Sequence, residues 1–173
     1  MTHPPNKQAQ EIFKALNDLD QIMGHGQSQK AVTFSELYAY ATNPAHTPSE
    51  ALVHALSTNL KTRRDLRRLL DKQAISFIPR AVAASSGELV VRDNEEVKLS
   101  LTPSKSNPDQ VYLLIQSYNP ELSLNLLFIE QEDGPILRLV IDDFFDGEAQ
   151  ILLFSDDEIV KALRNVKSEV ILR

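Results

Sequence analysis

Residues 81–87, Ala-Val-Ala-Ala-Ser-Ser-Gly, followed by Glu96-Val-Lys-Leu-Ser-Leu-Thr102, decide how the chain divides. The first stretch is small and unpatterned, as a linker or domain junction is. In the second, Val97, Leu99 and Leu101 alternate with Lys98 and Ser100, as side chains do on a half-buried strand. Ahead of the junction apolar residues recur at helical spacing, and beyond it they follow a strand period. The division predicts a helical domain over residues 1–80 and a β domain over residues 88–173.

Upstream, Ile12, Leu16, Leu19 and Met23 line one side of a helix that Gly24-His-Gly26 stops. Thr33-Phe-Ser-Glu36 and Thr47-Pro-Ser-Glu50 both fit a capping box, in which a Thr hydroxyl and a Glu satisfy the free amides of a helix start. In the second box Pro48 stands at its favoured first position. The helices that follow carry Phe34, Leu37, Tyr38 and Ala41, then Leu52, Val53, Leu56 and Leu60. A fourth, from about Thr62 to Ala74, turns Leu66, Leu69 and Leu70 inward and ends before Pro79. Together these make a small helical bundle.

Downstream, Glu88–Arg92, Gln110–Ser117, Leu124–Glu130, Ile136–Ile141 and Ala149–Phe154 are further apolar runs of strand length. Asp133-Gly134 and Asp146-Gly147 are turn signals, because Gly and to a lesser degree Asp tolerate positive φ. They predict antiparallel hairpins in a meander of about four strands. Ser155-Asp-Asp-Glu158 opens a short helix through Leu163, and Glu169–Leu172 is a last strand. The fold class is therefore α+β: a helical bundle, then an antiparallel β-sandwich of immunoglobulin-like type with a short C-terminal helix. An open sheet covered by the last helix is the alternative, and strand order stays open.

Charge divides at the same place. Residues 1–87 hold ten Lys or Arg against seven Asp or Glu, a net +3, and residues 88–173 hold eight against seventeen, a net −9. Either the halves attract each other or they face different surroundings. The basic excess gathers on the fourth helix, where Lys61, Arg63, Arg64, Arg67, Arg68 and Lys72 are interrupted only by Asp65 and Asp71. Arg63 and Arg67 share a surface at four-residue spacing. No aromatic residues interleave for base stacking, so nucleic acid is disfavoured against an acidic protein partner, a solvated face, or contact with the acidic half.

Ala55-Leu56-Ser-Thr-Asn59-Leu60-Lys-Thr62-Arg63-Arg64-Asp-Leu66 resembles the zinc-binding helix pair of bacterial anti-sigma factors, whose pattern is H-L-x-x-C-x-x-C-R-x-x-L. Leu56, Arg63 and Leu66 fit, while Ala55, Asn59 and Thr62 stand at the ligand positions. Phe34–Ala41 and Pro48–Ala51 resemble the family's preceding short helix and acidic helix start, so the resemblance covers about residues 33–70. It implies helices that wrap a sigma factor of the extracytoplasmic-function class, here held by Leu56, Leu60, Leu66 and Leu69 in place of zinc.

Chemical signatures are otherwise missing. With no Cys in 173 residues there is neither a disulfide framework nor a thiolate site. His3, His25, His46 and His54 form no pair at helical ligand spacing, and neither a G-x-S-x-G elbow nor a glycine-rich phosphate loop occurs. Asp142, Asp143, Asp146 and Glu148 cluster around a hairpin without the spacing of a Ca²⁺ loop, and read as solvated turn carboxylates. Phe144 and Phe145 among them read as an exposed anchor or as a buried pair.

No apolar run approaches the roughly 18 residues of a membrane helix, and Met1-Thr-His-Pro-Pro-Asn-Lys7 has no signal pattern. The expectation is a cytoplasmic, non-enzymatic regulator or adaptor of bacterial type. It needs no metal or cofactor, and binds another protein, such as a sigma factor, through Arg63, Arg64, Arg67 and Arg68 or through Phe144 and Phe145. A ligand-binding or self-assembling β-sandwich with a helical cap, able to form homo-oligomers, is the alternative. A hydrolase with an unfamiliar site is the third reading.

Overall fold

The structure, a computed structural model, describes residues 32–81, 88–132 and 134–173. The expected helix over residues 6–23 and most of the 81–87 junction lie outside them. Helix α1 (Phe34–Thr42) starts as its capping box requires, with Thr33 Oγ1 accepting from Glu36 N at 3.2 Å. It ends one residue short of Asn43, which is extended because Pro44 follows.

Helix α2 (Glu50–Thr58) starts later than its box predicts. Ser49 and not Thr47 is the N-cap, accepting from Leu52 N, and Pro48 lies outside the helix. The reason is a contact between helices, since Glu36 Oε1 takes the Ser49 N–H at 3.2 Å and so completes the cap from α1. Helix α3 (Leu60–Gln73) follows after a single residue. Asn59 closes α2 by donating its N–H to Ala55 O at 2.8 Å, and opens α3 by accepting from Lys61 N and Thr62 N. The position at which the anti-sigma pattern has its first Cys is thus occupied by a residue that joins the two helices through its own N–H and its side-chain oxygen.

Eight strands follow: β1 (Ser76–Ile78), β2 (Val91–Asp93), β3 (Val97–Pro103), β4 (Gln110–Ser117), β5 (Leu126–Glu130), β6 (Ile136–Val140), β7 (Glu148–Phe154) and β8 (Glu169–Leu172). Helix α4 (Glu158–Arg164), capped by Asp157 and not by Ser155, lies between β7 and β8. Among the described residues the fold is α+β, with two antiparallel four-stranded sheets ordered β2-β3-β4-β7 and β1-β8-β5-β6.

This order overturns the expected meander. β4 pairs with β7 and β5 with β8, and the chain changes sheets after β1, β4, β6 and β7. Burial explains why. β3 and β4 alternate buried and half-buried residues, whereas Leu126, Leu127, Phe128 and Ile129 of β5 are all buried, so that strand needs cover on both faces. On one face Leu127 and Ile129, with Val170 and Leu172, join Leu99, Leu113 and Ile115 of the other sheet and Val160 and Leu163 of α4. On the other, Leu126, Phe128 and Ile171 pack against Leu37, Tyr40, Leu52, Leu66 and Leu70 of the three helices.

The helices therefore have no core apart from the sheet. Residues 32–173 form one compact unit, and the sequence boundary at 80–88 falls inside it. β1 was not anticipated at all. It leaves α3 directly, with Ile75 N donating to Leu172 O at 2.8 Å, and makes the end of the chain's first half an edge of the second half's sheet.

Candidate protein-binding face

Helix α3 sorts its cations by their angle around the axis. Leu66 and Leu70 point into the core. Lys61, Arg64, Arg68 and Lys72, spaced three, four and four residues apart, form an exposed stripe on the far side. Arg63 and Arg67 lie between, toward β5 and β6, and both are partly buried.

Arg67 is committed to the scaffold. Its Nη1 donates to Glu169 Oε2 at 2.7 Å and also to Glu130 Oε2, while Nε donates to Asp71 Oδ1 at 2.7 Å. Its guanidinium sits over the Phe77 ring, 5.4 Å from the centroid. Burial opposes the charge, but the hydrogen bonds to Glu169 and Asp71 and the nearby Glu130 outweigh it and push the Arg67 pKa up. The network continues through Glu169 to Arg80 at 3.2 Å, and Glu132 pairs with both Arg80 and Lys167. Opposite charges of the two halves thus meet at this seam.

Of the other three arginines, Arg64 and Arg68 remain outward. Arg63 Nη1 donates to Ser57 O at 3.2 Å, satisfying a carbonyl of the last turn of α2. Arg68 has Asp65 at 3.5 Å, and Arg64 has no hydrogen-bonding or ionic partner among the described residues. They line an open cleft of about 460 Å³ between α3 and the β5–β6 connection, with Leu60 and Ile136 as apolar lining and Glu130 and Glu132 on the opposite wall. On the far side of the stripe a second cleft of about 500 Å³ is lined by Phe34, Leu37 and Leu69 together with Lys61, Arg68 and Lys72. Arg68 borders both.

Sequence reading missed the stacked rings of Phe34 and Tyr38, 6.2 Å apart and both exposed beside the second cleft. Their four-residue spacing was the available signal. Helix faces alone do not reveal that the described residues leave the surface beside them uncovered.

Phe144 and Phe145 part company. Phe144 packs against the core shared by the sheets, and Phe145 is 83% exposed. Positive φ at Asp143, Asp146 and Gly147 bends this connection, and Phe145 exchanges both backbone hydrogen bonds with Glu148. Asp142, Asp143 and Asp146 are exposed around it. Among the described residues no group of three or more His, Cys, Asp or Glu side chains is arranged to hold a metal ion, and no helix is long and apolar enough to cross a membrane.

No family model matches this chain, and neither any curated protein nor any solved structure matches it.

Proposed function

We propose that the chain is a non-enzymatic, cytoplasmic regulator or adaptor that docks an acidic segment of another protein along α3. The observation that carries this reading is the stripe Lys61, Arg64, Arg68 and Lys72, set between two open clefts whose linings include exposed Leu60 and Phe34. A partner helix or extended segment with acidic residues flanked by apolar ones is complementary to it, the charges setting register and the apolar groups filling the clefts. Carboxylates on the cleft wall are engaged by Arg67, Arg80 and Lys167, which leaves the outer arginines available to a partner.

An anti-sigma-like role in a bacterium is the specific form of this proposal. It is supported by the helix order and by Leu56 and Leu66, which sit in the core at the positions the family pattern reserves for Leu. The two sheets we read as the layers of a β-sandwich, supported by the apolar cluster to which both contribute.

Because the helices share their core with β5 and β8, the test uses the full chain. Purified wild type and the Arg64→Glu, Arg68→Glu double variant are compared for binding to an extracytoplasmic-function sigma factor. The expected loss is about tenfold or more, with strong salt dependence in the wild type. Unchanged affinity, or no binding by the wild type, would remove the anti-sigma form of the proposal.

A further inference from the structure

We infer that the cleft between α3 and the β5–β6 connection receives a phosphorylated side chain of the partner segment, so that phosphorylation of the partner strengthens docking. The inference rests on the acidic-segment reading above and specifies the group that enters this cleft. All four cations lining it, Arg63, Arg64, Arg67 and Arg68, are arginines, whereas the second cleft is lined by Lys61 and Lys72 with Arg68. A guanidinium presents five N–H groups in a planar fork that matches phosphate or carboxylate oxygens, which an ammonium group does not. The type of cation thus separates two surfaces that share one helix.

Arg67 contributes little to a ligand, because its Nε and Nη1 are taken by Asp71, Glu130 and Glu169. It also holds Glu130 on the far wall, as Arg80 and Lys167 hold Glu132, so each carboxylate that an incoming anion meets there has a cation of its own. The ligand is left to the other three arginines. Among the described residues Arg63 uses one N–H on Ser57 O, Arg64 has no partner, and Arg68 has Asp65 at 3.5 Å, a carboxylate shared with Lys61.

Charge and acceptor number decide between the two anions. Among the described residues three guanidinium groups at this cleft face one paired carboxylate, Asp65, a surplus of two positive charges. A carboxylate brings one negative charge and two oxygens, enough for a single fork. A phosphate monoester brings a charge of about −1.5 to −2 at pH 7 and three acceptor oxygens, one for each guanidinium. Leu60 and Ile136 give the carbon stem of the side chain an apolar wall, and a cleft of about 460 Å³ has room for the whole group.

The test uses the full chain and three synthetic peptides of alternating Glu and Leu that differ at one central position, which holds Ser, Glu or phosphoserine. Binding is measured by fluorescence anisotropy for the wild type, Arg64→Gln and Lys72→Gln, with the fold of each variant checked by circular dichroism. Both side chains are exposed, and of the two clefts Arg64 lines only this one and Lys72 only the other. The wild type is expected to bind the phosphoserine peptide about tenfold or more tighter than the Glu peptide, through added charge-assisted hydrogen bonds. Arg64→Gln is expected to remove most of that preference, and Lys72→Gln to weaken all three peptides alike and keep it.

Equal affinity for the phosphoserine and Glu peptides overturns the phosphoryl inference and leaves the acidic-segment reading standing, while a chain that binds none of the three overturns both. A preference that Arg64→Gln leaves intact places the phosphoryl group elsewhere and overturns the inference. Inorganic phosphate that displaces the phosphoserine peptide at the peptide's own dissociation constant assigns the cleft to the free ion, and overturns it as well.

Discussion

Arg67 Nη1 lies 2.7 Å from Glu169 Oε2, and that bond ties the most basic helix of the chain to its last strand. The side chains are 24% and 19% exposed, so the pair is neither solvent-screened nor fully desolvated. Removing the cation leaves Glu169 and Glu130 together at a partly buried site. Breaking a buried pair costs about 3–5 kcal/mol and an exposed pair under about 1, so Arg67→Met is expected to lose about 2 kcal/mol in urea denaturation. Arg64→Met is expected to change stability by less than about 0.5 kcal/mol, as exposed substitutions do. Equal effects would show that Arg67 does not anchor the seam.

Arg92, 5% exposed on β2, donates to three main-chain carbonyls at and beyond the end of α4: Leu163 O at 2.7 Å, Ser168 O at 2.9 Å, and Asn165 O. Burial pushes its pKa down from the usual arginine value, so the three carbonyls are what offsets the cost of keeping the charge there. Arg92→Met deprives these acceptors of their donor at about 1–3 kcal/mol for a buried unsatisfied group, so a loss of at least about 2 kcal/mol is expected in chemical denaturation. Arg92→Lys is expected to recover only part of it, since an ammonium group does not reproduce the planar fork. Full recovery by Lys would mean that only the charge matters.

Tyr40 gives the fold an alkaline limit. Its ring packs edge-on against Phe128 at 6.1 Å, and burial raises its hydroxyl pKa above the ordinary 10.0, partly offset by Arg138 over the ring. The folded state therefore holds a proton that the unfolded state releases. Stability from this group is complete below pH 10 and falls as pH rises toward the folded pKa. Tyr40→Phe is expected to flatten that part of a stability profile measured across alkaline pH, and an unchanged slope would assign it to another group.

Where an element's own side chains decided its state, it was legible in the sequence. β4 and β8 have the expected bounds because alternation or a short apolar run between turn residues marks them. The cap gave α1 its start, α2 and α4 start two residues late because a different polar side chain wins the cap, and α3, for which no cap was read, starts at Leu60, a residue expected on α2. Sheet order was not legible, because β4 with β7 and β5 with β8 are pairings between segments far apart in the chain. The clue to that order was present in Leu126-Leu-Phe-Ile129, where a run without alternation signals burial on two faces. The candidate site shows the same limit. Arg63, Arg64, Arg67 and Arg68 look equivalent as a cluster, and only Glu130 and Glu169, remote in sequence, separate the anchor from the arginines left outward.

Asn59 lets one residue end α2 and begin α3. Its side chain takes the Lys61 and Thr62 amides at 2.9 and 3.3 Å, and no acidic residue in the first turn of α3 supplements it. Asn59→Ala is expected to cost about 1 kcal/mol in thermal or urea unfolding, with Asn59→Asp close to neutral, since either side chain caps well. An Ala variant as stable as the wild type would place the helix junction under the control of packing by Leu56 and Leu66 alone.

Phe128 and Phe154 are both strand residues, and the fold uses them in opposite ways. Phe128 is fully buried between β5 and the helices, while Phe154 lies at the end of the open edge of β7. Phe128→Ala is expected to cost about 3–5 kcal/mol, because the helices and the sheet that enclose the ring cannot both close on the space it leaves. Phe154→Ser removes little buried area and is expected to change stability of the monomer by under about 0.5 kcal/mol. A Phe154→Ser protein that unfolds like Phe128→Ala would show that this end of β7 is already covered within one chain.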